Sequence, residues 1–272
     1  MDLHKKIEEL YTEAEKSNYN EEKLTIFEEF KFRLNNGLIR AAEFKNGEWK
    51  VNEWVKKGIL LGFRIGAITE YSLPHGFKFW DKNTYPLKNF TLENHIRIVP
   101  GGTSIRDGAY IAERVIIMPP AYINVGAYVD EETLIDSHAL VGSCAQVGKK
   151  CHVSAGVMIG GVIEPIGSKP VIVEDNVFLG GQSGLYEGVI VKQNAVLAPG
   201  TIISGSTPIY DSISDKYLEK KNGVIEIPEG AVVVPGSRPL RSNPAHQIYC
   251  PIIIKYRDEK TDSAVILEDL IR

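Results

Sequence analysis

The sequence predicts a mainly β protein: a parallel β-helix, fronted by a mostly helical segment and closed by a short strand and helix. Two observations carry this. Ile or Val recurs every six residues at Ile105, Ile111, Ile117, Ile123, Val129, Ile135, Val141, Val147, Val153 and Ile159. After an interruption from Glu164 to Pro170, the register resumes two residues out of phase at Val173, Leu179, Leu185, Val191, Leu197, Ile203 and Ile209. That step matches neither the 3.6-residue period of a helix nor the span of an ordinary strand. Second, the position four residues after each aliphatic is small or β-branched, as at Ala109, Val115, Ala121 and Thr133, and the one before that is often Gly or Asn. Gly and Asn supply the left-handed backbone of a sharp corner. Each hexapeptide is therefore one short strand plus one corner, and three of them close an 18-residue triangular coil.

Taken in order, residues 1–100 are expected to form a mostly helical domain, with helical patterns in "LHKKIEELYTEAEK", "EKLTIFEEFKFRLNNG" and "NEWVKKGILLGFR". A solenoid end exposes unpaired strand edges, so a helical cap there has a structural purpose. Residues 101–240 form the prism, interrupted by a polar loop at "YDSISDKYLEKKNG" and ending in a coil from Ile227 to Pro239. Residues 241–272 add a strand at "QIYCPIIIKYRDE" and a helix at "SAVILEDLIR".

Charged residues make up 24% and hydrophobic ones 43%, with a net charge of -4. That composition suits a soluble globular protein and gives no basic footprint for nucleic acid. The segment "MDLHKKIEELYTEAEK" lacks the apolar run of a signal peptide or membrane span, which predicts a cytoplasmic protein with no membrane partner. Three cysteines with no CxxC spacing argue against a disulfide framework and against a structural zinc site.

The residue after each inward aliphatic points outward. Arg106, Asn124, Asp130 and Asp136 occupy these positions first, followed by Gly142, Gly148, Ser154 and Gly160. Charged groups give way to bare backbone, which another chain or an extended ligand can approach closely.

The segment "GAYVDEETLIDSHALVGSCAQVGKKCHVSAGVMIGGVIEP" resembles the central signature of the tetrahydrodipicolinate N-succinyltransferases, hexapeptide-repeat acyltransferases of lysine and diaminopimelate biosynthesis. "RIVPGGTSIRDGAYIA", "VEDNVFLGGQSGLYEGVIV", "STPIYD" and "YCPIIIK" extend the likeness over about residues 95–256. The resemblance implies a left-handed prism, transfer of a succinyl group from succinyl-CoA to the amino group of ring-opened tetrahydrodipicolinate, and a homotrimer with active sites between neighbouring prisms. It also implies that Arg97 and Asp136 contact the dicarboxylate, Arg97 as a guanidinium clamp on a carboxylate. Arg106 is a further candidate for substrate binding by position.

An α-amino group is mostly protonated near neutral pH, so the reaction needs a base. Asp136 and Glu187 are the carboxylate candidates. His138 is a third, at a corner where some relatives carry Trp; Gly184 stands where some carry Glu, which shifts weight to Glu187. The pantetheine arm of coenzyme A resembles an extended peptide, and backbone amides around Gly180, Gly181, Ala198 and Gly200 are candidate donors to it. Arg238, Arg241 and Lys255 are candidates for its phosphates. A thioester is already activated, so no covalent acyl-enzyme is required, and neither a metal nor a prosthetic group is expected.

Three rival readings use the same repeat. An acetyl-CoA-dependent transferase differs only in the acyl group. A metal lyase resembling the γ-class carbonic anhydrases wants three converging histidines, whereas the repeat offers only His138 and His152. A purely structural solenoid leaves Arg97, Asp136 and Glu187 unexplained.

Overall fold

A computed structural model describes residues 2–13, 21–72, 76 and 78–258. Three helices open the chain: α1 (Leu3–Glu13), α2 (Glu21–Asn35) and α3 (Glu53–Ile65). The expected helix at "SAVILEDLIR" lies outside the described residues. Two antiparallel hairpins that the helical patterns do not reveal join the three helices, Ala42–Lys45 with Glu48–Val51 between α2 and α3, and Ile68–Ser72 with Lys78–Lys82 after α3.

From Arg97 onward the chain winds as the hexapeptide step demands. Two-residue strands stack in parallel onto the strand one coil away, building three flat faces. The first face runs Tyr110–Ile111, Tyr128–Val129, Gln146–Val147, Ile172–Val173, Ile190–Val191 and Glu226–Ile227. The second runs Arg97–Ile98, Ile116–Ile117, Leu134–Ile135, His152–Val153, Phe178–Leu179, Val196–Leu197 and Ala231–Val234. The third runs Ser104–Ile105, Tyr122–Ile123, Leu140–Val141, Met158–Ile159, Gly184–Leu185 and Ile202–Ile203. Successive rungs lie about 4.8 Å apart.

The second residue of each strand points inward, so the prism core is three stacks of aliphatics. Ile117, Ile135, Val153, Leu179 and Leu197, all fully buried, form one of them. The segment Glu164–Pro170 is accommodated as a bulge between Ile159 and Ile172, after which the pairing register is intact. The strand expected at "QIYCPIIIKYRDE" is two strands, Asn243–Tyr249 and Ile252–Tyr256, because the chain turns at Cys250–Pro251. The first pairs with Ser237–Leu240 in a hairpin at the prism end; the second runs antiparallel to Ala231–Val234 and closes that edge.

The helical domain is fastened to one edge of the prism. Leu3, Ile7, Phe27, Phe30, Val55, Ile59 and Tyr85 pack with Val125 and Cys144, which sit on corners between the third and first faces. Gly126 is required there by two constraints: its φ is 76°, and a Cβ would lie 2.5 Å from Ile59 Cδ1. Cys144 is fully buried beneath this domain, and burial pushes its thiol up to about 12. The hairpin Ala42–Val51 covers the first face, where Arg40 donates to Gln146 Oε1 at 2.7 Å and stacks on the Tyr128 ring at 3.6 Å.

The loop that leaves the prism after Ile209 is organised by Asp211. Its side chain accepts from the Ile213 and Ser214 amides and from the Ser214 and Tyr256 hydroxyls. Burial alone would raise its pKa, but these hydrogen bonds outweigh it and hold the carboxyl below its ordinary value. A depressed carboxyl stabilises the fold above its unfolded pKa, near 3.9, and that contribution fades as pH falls through the folded value. Protease cleavage in 212–217 should therefore accelerate below about pH 4 in the native chain. It should be fast already at pH 7 in Asp211→Asn.

Candidate active site

The corners between the second and third faces form a column in which the candidate groups rise in order. Arg97 lies exposed on the lowest rung of the second face. Two rungs higher, Asp136 begins the corner after Leu134–Ile135; it is half-buried, and its Oδ1 accepts the Ser137 amide at 2.6 Å. Its Oδ2 makes no hydrogen bond among the described residues. His138 completes the same corner with φ 63°, its amide donating to Pro120 O at 2.5 Å and its side chain exposed.

Gly180 and Gly181 stand two rungs above Asp136, and Ala198 to Gly200 one rung further. Their amides need a correction to the sequence expectation. The Gly180 amide donates to Leu197 O at 2.7 Å, Ala198 to Val233 O at 2.8 Å and Gly200 to Gly181 O at 2.9 Å, so coil stacking has used all three. Gly180 is needed instead for close stacking, since a Cβ there would lie 2.5 Å from Pro199 N. The Gly181 amide makes no hydrogen bond among the described residues, and neither does that of Ala155 at the equivalent place one rung lower. Sequence reasoning missed Ala155; its only signal was being second in a corner, one coil from Gly181.

Arg238 and Arg241 lie on the hairpin at the upper end of this column. Arg241 is exposed, whereas Arg238 Nε is sealed and has no hydrogen-bond partner among the described residues. Lys255 sits beside Val232 on the closing strand and pairs with Asp258 at 3.1 Å.

Two candidates lie elsewhere. Arg106 occupies the lowest corner between the third and first faces, where it is paired with Asp81 and stacked 5.4 Å from the Phe63 ring. It fastens the hairpin Ile68–Lys82 to the first coil. Glu187, φ 56° and exposed, is on the same edge several rungs higher, against Gly205. Asp136 and Glu187 thus stand on opposite edges of the third face, two rungs apart. Between them that face is uncovered, with Tyr122, Met158 and Ile202 each exposed by more than a third.

A groove of about 960 Å³ opens on the first face between the Ala42–Val51 hairpin and the 210–224 loop, lined by Arg40, Trp49, Glu174, Lys192 and Glu226. None of the candidate residues lines it. Among the described residues no three His, Cys, Asp or Glu side chains converge as metal ligands, and no helix is long and apolar enough to cross a membrane.

A triangular prism of stacked hexapeptides with a carboxylate and open amides along one corner is the build of a solenoid acyltransferase. Residues 170–204 match the family model described as the hexapeptide repeat of succinyl-transferase, and residues 2–65 match that of the tetrahydrodipicolinate N-succinyltransferase N-terminal region. The chain is 46% identical over 246 residues to a 2,3,4,5-tetrahydropyridine-2,6-dicarboxylate N-succinyltransferase of Legionella pneumophila, covering 88% of this chain and 85% of that protein. It is 46% identical over 243 residues to the enzyme of that name from Azoarcus and 44% over 244 residues to that from Paraburkholderia phytofirmans, covering 88% of this chain and 86% of the other in each case. The chain belongs to the tetrahydrodipicolinate N-succinyltransferase family. A Campylobacter jejuni crystal structure described as a 2,3,4,5-tetrahydropyridine-2-carboxylate N-succinyltransferase shares the fold at TM-score 0.50 and 17% identity, over 88% of this chain and 64% of that one.

Proposed function

We infer that this chain moves the succinyl group of succinyl-CoA onto the amino group of ring-opened tetrahydrodipicolinate, in a site completed by a second copy of the chain. Family membership supports the reaction, and the placement of Asp136 and Glu187 supports the shared site. The two carboxylates cannot converge within one chain, because the whole third face separates them. Three chains closing their uncovered third faces around a common axis would set the Asp136 edge of one against the Glu187 edge of the next. That arrangement also removes the exposed Tyr122, Met158 and Ile202 from water.

In this reading Arg97 clamps a substrate carboxylate, Asp136 holds the amine and Glu187 takes its proton. The free amine adds to the thioester carbonyl, and collapse of the adduct breaks the carbon–sulfur bond. The proton taken from nitrogen is returned to the departing thiolate. The pantetheine arm then lies up the corner column past Ala155 and Gly181, whose amides are open, toward Arg238 and Arg241.

Thiol release with tetrahydrodipicolinate as acceptor tests the reaction. Succinyl-CoA should outrun acetyl-CoA by at least about tenfold in kcat/KM, since a site that pairs the distal carboxylate leaves its own groups unpaired with acetyl. Equal rates would favour the acetyl-transfer alternative. Sedimentation should show a trimer, and a monomer with full activity at nanomolar concentration would remove the shared site.

A further inference from the structure

His152 stands on the second face one rung above Leu134, beside the Asp136 corner and edge-on to Phe178 with ring centroids 4.7 Å apart. Its two nitrogens have different surroundings. Nδ1 is sealed from solvent and has no hydrogen-bond partner, whereas Nε2 is not sealed and makes no hydrogen bond among the described residues. Native structures rarely bury a polar atom without a use for it.

The asymmetry fixes what this imidazole can do. Protonating it would place an N–H in the sealed position with no acceptor, which a buried site resists. Burial lowers its pKa, and Asp136 is the charge among the described residues that opposes that shift. His152 is therefore neutral at pH 7 and unsuited to take a proton. Its least costly tautomer leaves the bare Nδ1 lone pair against the apolar wall and carries the hydrogen on Nε2, directed at the open side. A neutral imidazole fixed this way is a directional donor of one hydrogen bond, held by its neighbours before any ligand arrives.

Its height on the prism identifies the acceptor. If Asp136 holds the amine, the carbon it attacks lies within a few ångströms, about one rung away. The arm of the acyl donor occupies the rungs above. His152 and the open amide of Ala155 share the intervening rung.

We propose that His152, through Nε2–H, donates a hydrogen bond to the thioester carbonyl oxygen of the acyl donor and to the oxyanion that forms there as the amine adds. The proposal rests on the succinyl-transfer reading and supplies it with an electrophilic group. It assigns His152 no share in moving the proton.

His152→Leu removes the donor and fills the sealed side with apolar atoms, so the protein should fold with an unchanged or raised melting temperature. Its single-turnover rate with saturating succinyl-CoA and acceptor should fall about 10²–10³-fold, the size expected for loss of one such donor. His152→Gln, whose amide nitrogen can reach the Nε2 position, should recover at least about a tenth of the wild-type rate, with the acid limb of the pH profile unmoved. A direct reading comes from the carbonyl stretch of isotopically labelled succinyl-CoA bound without acceptor. It should lie at lower frequency in the wild type and in His152→Gln than in His152→Leu.

A near-normal rate in His152→Leu would overturn the proposal, as would a rate loss that merely tracks lost thermal stability. Loss of the acid limb in His152→Gln would also overturn it, because it would make this histidine a base. A carbonyl frequency identical in all three proteins would do the same. Failure of the succinyl-transfer reading is separately visible: the wild type itself would then release no thiol.

Discussion

Asp136→Asn and Glu187→Gln should each leave the protein folded and able to bind coenzyme A, yet fail differently. Both side chains lie outside the prism core, and the described residues place no salt bridge on either, so removing the charge disturbs no internal packing. If Glu187 is the base, its amide variant should lose roughly 10²–10⁴ in turnover at saturating substrates. Asp136→Asn should chiefly raise the KM for the dicarboxylate, the mark of a group that binds ground state and transition state alike. Single-turnover rates with saturating succinyl-CoA separate the two roles. Near-normal chemistry in Glu187→Gln removes that residue from proton transfer. A large loss in His138→Ala would move the step to the exposed histidine in the Asp136 corner. A mixture of the two impaired variants, assayed with the dicarboxylate well below its KM, adds a test that a single-chain site fails: co-assembled Asp136→Asn and Glu187→Gln chains should regain activity, because some interfaces then carry both native carboxylates.

Ile135→Asp should yield no native protein. Ile135 is fully buried at the centre of the second-face stack, in register with Ile117 below and Val153 above. A carboxylate there has neither water nor a partner, and the penalty for burying an unpaired ion is several kcal/mol, comparable with the whole stability of an ordinary domain. Ile135→Val, which removes one methylene, should cost only about 0.5–1.5 kcal/mol. Circular dichroism and a denaturant titration distinguish the outcomes, and a soluble Ile135→Asp chain with native melting would mean that the inward register is wrong.

The prism was legible because its signal is redundant. Every coil repeats the choice of an aliphatic inside and a left-handed residue at the corner, so a single atypical residue cannot blur the register. The hairpins Ala42–Val51 and Ile68–Lys82 were not legible. Each is short, and the first is set by pairing with surfaces distant in sequence, such as Trp49 on Glu174 and Arg40 on Gln146. For the site, the register correctly turned Asp136 and Glu187 outward but did not say which edge each occupied. Counting corners separates them only once the insertion between Ile159 and Ile172 is known to span a single corner, which the pairing of Ile172–Val173 with Gln146–Val147 establishes. The amides were a different case. Gly180, Ala198 and Gly200 read as available donors because small residues suggest approachable backbone, yet their N–H groups belong to the ladder between coils. His152 read only as an insufficient metal ligand, because its chemistry arises from one sealed nitrogen and one open one, a distinction that exists only after packing.

The ladder also makes this molecule a measuring device. Since each coil uses nearly all of its own hydrogen-bonding groups, contacts left for a guest recur along the axis only once per turn, at a fixed pitch of about 4.8 Å. Distance from the acid-bearing corner to the basic hairpin is thus set in whole turns. Lengthening the reach for a longer thiol carrier, or shortening it for a truncated one, would require inserting or deleting a complete 18-residue unit, because a shorter insertion such as Glu164–Pro170 bulges out and leaves the number of rungs unchanged. If the acyl carrier lies along this column as proposed, selectivity for its length would change only in whole turns, because the packing of the interior holds the pitch fixed.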